Sequence, residues 1–325
     1  MKPTSIQTSG GATNQGKPLV LVLPVLGDEH LALIERNYRI IYAPKPDSVQ
    51  AQLAAADPDV RAVLTSGTIG LAAEAIAAMP RLELICALGV GYENIDVSAA
   101  RARGIVLANG AGVNADSVAD HAMGLLLATV RGIVTLDAQV RQGLWRDDLP
   151  LPADVSGRRL GLLGLGDIGH KIARRAQAFN LEIGYCTRNA RTDVPYLYHA
   201  SALELARWCD FLIVITPGGP STRHLVNAPI IEAIGPQGVL VNVARGSVVD
   251  TAALAEALRH GRLGGAGLDV YESEPLRPEL LMGLPGVVLT PHVGGSSPQA
   301  VRNSVDRFLA NADGHFAGRG PDSPI

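Results

Sequence analysis

Short apolar runs recur along the chain, each followed by a small-residue turn and then a stretch with helical spacing of apolar positions. In the first third these runs are 19–23, 61–65, 82–88 and 105–108, with Ala-rich segments at 50–56 and 71–79 between them. Runs so short and so uniformly apolar predict strands covered on both faces, as in a parallel sheet flanked by helices. The pattern then changes. Residues 116–130 form a long helical run that Asn114 or Asp116 is placed to cap, and 145–156, rich in Asp and Pro, predicts an exposed loop. A second series of strands is expected at 159–163, 182–186, 211–215, 239–243, 265–269 and 287–289. Its helices run from the first strand to near Phe179, over 228–234 and over 252–259, and a last amphipathic helix covers 298–316.

Two strand–helix series predict an α/β protein of two domains, each built on a parallel sheet. The second series starts near the middle of the chain, so the nucleotide-type domain reads as an insertion. The expected division is 18–110 with 295–325 for one domain and 111–294 for the other. Residues 1–17, polar and rich in Gly, Ser and Thr, read as a disordered leader without the apolar stretch of a signal peptide.

Composition narrows the function. With 325 residues, 47% of them apolar, the chain can fill two cores. Its 28 Lys and Arg balance 31 Asp and Glu, so no basic excess points to nucleic acid. Cys86, Cys186 and Cys209 are far apart and make no disulfide or metal-ligand spacing, which predicts a reduced, metal-free, cytoplasmic protein. The longest apolar runs fall well short of a membrane span.

Gly164, Gly166 and Gly169 follow the strand at 159–163 and open a helix. In such a loop the first glycine makes the tight turn, the second admits a pyrophosphate to the backbone, and the third lets helix and strand pack closely. The N–H groups at the helix start would hold the phosphates. An NAD site places an acidic residue about 20 residues further on. Here the strand ends at Cys186, followed by Thr187, Arg188, Asn189 and Arg191, with no carboxylate among them. Two guanidiniums suit a 2′-phosphate, so NADP(H) is expected in preference to NAD(H). A solvated basic loop is the plainer alternative.

Arg245, Glu274 and His292 each follow an expected strand, at the end of a parallel sheet where ligands bind. A 2-keto acid needs a cation for its carboxylate, polarisation of its carbonyl and a proton for the developing alkoxide. Arg245 offers a planar fork for the first two, and His292 can donate the proton. Glu274, holding the other ring nitrogen, would raise the histidine pKa and keep the acid loaded. Taken singly, the three could be a surface arginine, a solvated glutamate and a turn histidine.

The motifs ALGVGYENID, NADSVADHAMGLLLA, GLLGLGDIG, VNVARGSVVD, GGAGLDVYESEP and LTPHVGG, in this order, resemble those of the D-isomer-specific 2-hydroxyacid dehydrogenases over about 19–324. Within that family the chain is similar to the NADP-dependent hydroxypyruvate/glyoxylate and hydroxyphenylpyruvate reductases, in GRLGGAGLDVYESEP, in 187–189 and in GHFAG. The resemblance implies a flavodoxin-like substrate domain with an inserted NAD(P)-binding Rossmann domain and an active site in the cleft between them. It implies that Arg245 binds substrate, that His292 is the acid/base and that Glu274 is its partner. Backbone amides of Val90 and Gly91 would hold the substrate carboxylate. Gly164, Leu165, Gly166, Asp167, Ile168 and Gly169 would cradle the pyrophosphate, and Arg188 and Asn189 the 2′-phosphate. Thr216, Val243, Ala244, Asp269 and Gly294 would line the cofactor. A homodimer built on the nucleotide domain is implied as well, with Trp145 either reaching the neighbouring active site or simply packing.

Two departures stand out. Asn109-Gly110-Ala111 replaces a common Asn-Thr-Pro and should leave that wall less rigid, because a fixed-φ proline is lost. A second glycine follows Gly294 where a serine is common. The expected activity is NADPH-dependent reduction of small 2-keto acids such as glyoxylate, hydroxypyruvate or hydroxyphenylpyruvate. The alternatives are an NAD-dependent dehydrogenase working oxidatively and a nucleotide-sensing regulatory protein on the same fold.

Overall fold

A computed structural model of the chain describes residues 16–325 and the backbone of Gln7–Thr8. Of the leader expected at 1–17, residues 1–6 and 9–15 lie outside the described residues. The pair within it forms β1 (Gln7–Thr8), a strand rather than coil. Then come β2 (Leu19–Val22), α1 (Asp28–Glu35), β3 (Arg39–Tyr42), α2 (Val49–Ala55), β4 (Val60–Thr65), α3 (Ala73–Ala77), β5 (Leu84–Ala87), α4 (Val97–Ala102) and β6 (Val106–Ala108).

The next elements are α5 (Ala115–Val130), α6 (Ile133–Arg141), β7 (Arg159–Leu163), α7 (Asp167–Gln177), β8 (Glu182–Cys186), β9 (Leu197–Tyr198), α8 (Ala202–Trp208) and β10 (Phe211–Val214). They are followed by α9 (Ala228–Ile234), β11 (Val239–Asn242), α10 (Thr251–Arg259), β12 (Gly265–Leu268), β13 (Val287–Leu289) and α11 (Pro298–Phe316).

The chain divides into two compact units, one up to Asn114 together with Ser297–Ile325, the other Ala115–Ser296. The breaks fall at helix starts, Ala115 of α5 and the N-cap Ser297 of α11, rather than at the expected 111 and 294. In the first unit the sheet order is β1-β3-β2-β4-β5-β6, parallel except for the β1–β3 edge pair. Without β1 this is the 2-1-3-4-5 order of a flavodoxin-like sheet. Leu21, Val63 and Ile85 pack on one face with Ile76 and Met79. Val20, Leu64 and Leu84 pack on the other with Ile34 and with Phe308 of α11.

In the second unit the order is β13-β12-β11-β10-β7-β8-β9, and every pair is parallel. Chain order reverses between β7 and β10, which makes the carboxyl end of β7 the switch point where a dinucleotide site is expected. The central strands β10 and β11 are buried at every position. Two expectations need correction. Asn114 does not cap α5, and its Oδ1 has no hydrogen-bond partner among the described residues. The expected helix 71–79 shrinks to α3, because Leu71 is drawn into a bridge with Ile95. Among the described residues, no single helix is long and apolar enough to cross a membrane.

The Ser297 side chain accepts from the Ala300 N–H at 3.0 Å and so caps α11. Ser297→Ala should cost about 1 kcal/mol of stability. Urea unfolding measures this, and an unchanged midpoint would contradict the cap assignment.

Candidate active site

Arg245 leaves β11 in extended conformation at the start of a short 3-10 turn, Gly246–Val248. The turn is held by Asn242, the last residue of β11, which is 1% exposed. The Asn242 Nδ2 donates to Arg245 O at 3.0 Å, while its Oδ1 accepts from the Ala244 N–H at 3.0 Å. A Cβ on Gly246 would lie 1.9 Å from the Tyr271 carbonyl carbon, so only glycine lets this turn nest against the Tyr271 backbone. The Arg245 stem lies over Gly218, where an added Cβ would be 2.7 Å from its Cγ. Its Nη1 donates to Ala244 O at 2.6 Å.

The Glu274 carboxylate is shared between two donors. Oε1 accepts from the Tyr271 N–H at 2.6 Å, and Oε2 lies 2.7 Å from His292 Nδ1. The hydrogen bond to Glu274 raises the His292 pKa above its ordinary value. Burial and the Arg245 charge oppose this, and the Glu274 and Asp269 charges add to it. Burial works against ionisation of Glu274. The hydrogen bonds from His292 and Tyr271, with the charges of His292 and Arg245, still hold its carboxyl below the ordinary value. The ion pair therefore stabilises the fold fully between about 4.5 and 6.5, the two ordinary values. The Glu274 contribution is lost as pH falls through its lowered pKa, and the His292 contribution as pH rises through its raised one.

His292 has φ +54°, in the left-handed region. For a side chain other than glycine this costs about 1–2 kcal/mol. Asp269, 2% exposed at the end of β12, supplies the compensation. Its Oδ1 accepts from the Val293 N–H at 2.9 Å and the Thr290 hydroxyl at 2.7 Å, and its Oδ2 from the Gly294 N–H at 2.8 Å. Its backbone carbonyl accepts from the His292 N–H at 2.8 Å. Tyr271 adds its hydroxyl, donated to Thr290 O at 2.6 Å, with burial pushing the phenol up to about 12. The side-chain hydrogen bonds of Asp269, a residue expected to line the cofactor, go to the turn that presents His292, while its N–H donates to Asn242 O at 3.0 Å.

The glycine loop has the geometry its sequence implies. Gly164 has φ +111°, and a Cβ there would lie 3.0 Å from Ile215 O. At Gly169 a Cβ would lie 2.9 Å from the Ile215 side chain, whereas nothing lies within 4 Å of one at Gly166. That open position fits the close approach of a pyrophosphate. Gly166 caps α7 without any side-chain hydrogen bond, so the first N–H groups of α7, those of Asp167, Ile168 and Gly169, remain available to an anion. Leu165 is buried in the core. Thr216, at the end of β10, has a buried hydroxyl with no partner among the described residues. An orphaned donor next to an open cradle fits a dinucleotide. Val243 is half-buried and Ala244 is buried on the neighbouring strand end.

The pair of guanidiniums beyond β8 does not act as a pair. Arg191 is committed to Asp193, with Nε at 2.9 Å, and to Leu165 O at 3.0 Å. It braces the glycine loop. Arg188 and Asn189 are exposed, and Arg188 has no charged partner among the described residues. In the first unit, Val90 and Gly91 form the turn after β5, with Val90 O accepting from Asn109 Nδ2 at 2.8 Å. The stretch at Asn109 is not slack: its N–H donates to Ser323 O at 3.1 Å, and its carbonyl accepts from the Ser323 hydroxyl at 2.5 Å. Asn242, Thr290, Tyr271 and His121 escaped the sequence reading; only the strand-end position of Asn242 signalled a role. Among the described residues, no cluster of His, Cys, Asp or Glu could hold a metal.

Residues 123–294 match the family described as D-isomer specific 2-hydroxyacid dehydrogenase, NAD binding domain. The chain is 42% identical over 267 residues to hydroxyphenylpyruvate reductase of Plectranthus scutellarioides, covering 82% of this chain and 85% of that protein. It is 40% identical, with the same coverage, to a glyoxylate/hydroxypyruvate reductase of Arabidopsis thaliana. Among solved structures, the NADPH-dependent glyoxylate/hydroxypyruvate reductase of Sinorhizobium meliloti, in complex with NADP and malonate, superposes with a TM-score of 0.87. It is 39% identical, covering 95% of this chain and 97% of that one.

Replacing Glu274 by Gln removes the charge that holds the imidazolium. In a proton NMR titration His292 should then titrate at lower pH than in the wild-type protein. An unchanged or higher titration point would remove Glu274 as the cause of the raised pKa.

Proposed function

The chain belongs to the D-isomer specific 2-hydroxyacid dehydrogenases, NAD(P)-dependent oxidoreductases, and on that premise we propose that it reduces small 2-keto acids to D-2-hydroxy acids with NADPH. The observation that carries the reading is the 2.7 Å pair of Glu274 and His292, with the Arg245 charge acting on both. Arg245 binds the substrate carboxylate and polarises the adjoining carbonyl with its guanidinium. When bound, the reduced nicotinamide supplies a hydride to the carbonyl carbon. As the carbonyl π bond opens, His292 Nε2 passes its proton to the oxygen, and Glu274 steadies the imidazolium beforehand. In the reverse direction His292 takes the proton back.

The cofactor lies along the carboxyl end of the second sheet. The N–H groups from Leu165 to Gly169 hold the pyrophosphate, and Arg188 with Asn189 hold the 2′-phosphate. Thr216, Val243, Ala244 and Gly294 line the nicotinamide half. With Arg191 engaged elsewhere, Arg188 carries the preference for NADPH. The substrate class is glyoxylate and hydroxypyruvate, with hydroxyphenylpyruvate as the larger member; the names of the relatives support this range. They share the carboxylate and carbonyl that Arg245 reads and differ in a side chain, for which a pocket discriminates by only about 1–3 kcal/mol per group.

The functional form is a homodimer. Helix α6 buries none of its residues, and Ile133, Val134 and Val140 are 51%, 55% and 51% exposed. Trp145, 65% exposed, and Leu151, 96% exposed, are further uncovered apolar residues in the segment that follows. Trp145 is therefore not packed within its own unit, and a second copy is the proposed cover.

Absorbance of the reduced nicotinamide, followed with NADPH and NADH against the three keto acids, tests the reaction. His292→Ala should lower kcat by about 100-fold or more while sparing NADPH binding. A retained rate would remove His292 as the acid. Arg188→Ala should weaken NADPH far more than NADH, and equal losses would sink the 2′-phosphate assignment. Light scattering should return a dimer, and Val134→Lys should shift it towards monomer; an unshifted dimer would place the interface elsewhere.

A further inference from the structure

A second histidine touches the turn that presents His292, and it arrives from a different element. His121 projects from α5, with its side chain 23% exposed. Its Nε2 lies 2.8 Å from the Thr290 hydroxyl oxygen and 3.3 Å from Asp269 Oδ1. Its ring also lies against Gly294, where an added Cβ would be 3.2 Å from its Cδ2 and 2.9 Å from Asp269 Oδ2. His121, Thr290, Asp269 and Gly294 thus close a small ring of contacts beside His292.

The proton count fixes the direction of these bonds. Thr290 has one hydroxyl proton, and an ionised Asp269 can only accept. If Thr290 donated to His121, the bare Nε2 lone pair would face Asp269 Oδ1. The Thr290 oxygen would also face that carboxylate at 2.7 Å without a proton between them. Both contacts would be repulsive. With the proton on His121 Nε2, the Thr290 hydroxyl is free to donate to Asp269, and every contact is attractive. His121 Nε2–H is then the donor that orients Thr290, and Thr290 and the amides of Val293 and Gly294 let Asp269 grip both sides of His292.

We propose that His121 is a positioning residue for the acid/base His292, acting through an Nε2–H that holds Thr290 onto Asp269 and so fixes the left-handed turn. This rests on the reductase reading above. His121 takes no proton from substrate; it sets where the His292 ring sits. A misplacement of about 1 Å at a reacting group costs about 100-fold in rate, so a loosened turn lowers kcat without weakening ligands.

The first test needs no turnover. Nitrogen chemical shifts of isotope-labelled histidines report which ring nitrogen carries hydrogen. His121 should show a protonated Nε2 above and below neutrality, and a neutral ring with hydrogen only on Nδ1 would overturn the proposal. The second test compares His121→Ala, His121→Phe and His121→Gln with wild type. Alanine and phenylalanine should lower kcat about tenfold or more, with the KM for keto acid and the Kd for NADPH within about twofold. Glutamine, which restores an amide donor near the Nε2 position, should recover most of the rate. Phenylalanine keeps the ring volume, so its loss beside a recovered glutamine variant excludes a packing effect; equal rates in all three would overturn the proposal. A wild-type protein inert towards every keto acid, with the Nε2–H observed, would sink the reductase reading and leave the hydrogen-bond assignment standing.

Discussion

One buried carboxylate organises this site. Asp269 sits at the end of β12, nearly inaccessible, and a bare charge there would be prohibitively expensive. It is tolerated because Thr290, Val293 and Gly294 bring hydroxyl and amide protons to it. Those donors belong to the same few residues as His292. Satisfying the anion and bending the chain into a left-handed turn are therefore one event. The desolvation cost of the carboxylate and the conformational cost of His292 at φ +54° are met by the same hydrogen bonds.

The other two reactive side chains follow the same logic. Arg245 depends on Asn242, whose amide spends both ends on the backbone of the Arg245 turn. Glu274 depends on the Tyr271 N–H, and the Tyr271 backbone lies against Gly246. Arg245 and His292 thus each ride on a turn held by a buried polar residue at or next to a strand end, and Glu274 is held by a backbone N–H. Flexible surface loops would place a guanidinium and an imidazole with far less precision.

Much of this was legible in the chain. The order of strands and the glycine loop follow from period and spacing, because strands buried on both faces leave an unmistakable apolar run. The proposed trio of Arg245, Glu274 and His292 stands out in the chain because each member follows such a run. Two strands were not: β3, the four residues RIIY opening on an exposed Arg39, and β9, only two residues. The roles of Thr290 and His121 were hidden because a half-buried hydrogen bond between residues 169 apart has no local signature. Arg191 was misjudged for a related reason. Its charge is visible in the chain, whereas its engagement by Asp193 and by the Leu165 carbonyl, 26 residues away, appears only in the fold.

The closing segment has a bearing on how the chain is made. Phe308 of α11 lies in the core of the first unit, Ile325 N donates to Leu107 O at 3.0 Å, and Ser323 bonds Asn109. The uninterrupted stretch Ala115–Ser296 contains everything its own sheet needs as soon as it has left the ribosome. The first unit, though it starts earlier, has one sheet face covered only in part, by α1, until α11 is translated. During that interval Val20, Leu64 and Leu84 are the surfaces a chaperone would meet, so the half of the protein that is synthesised first is the half that matures last.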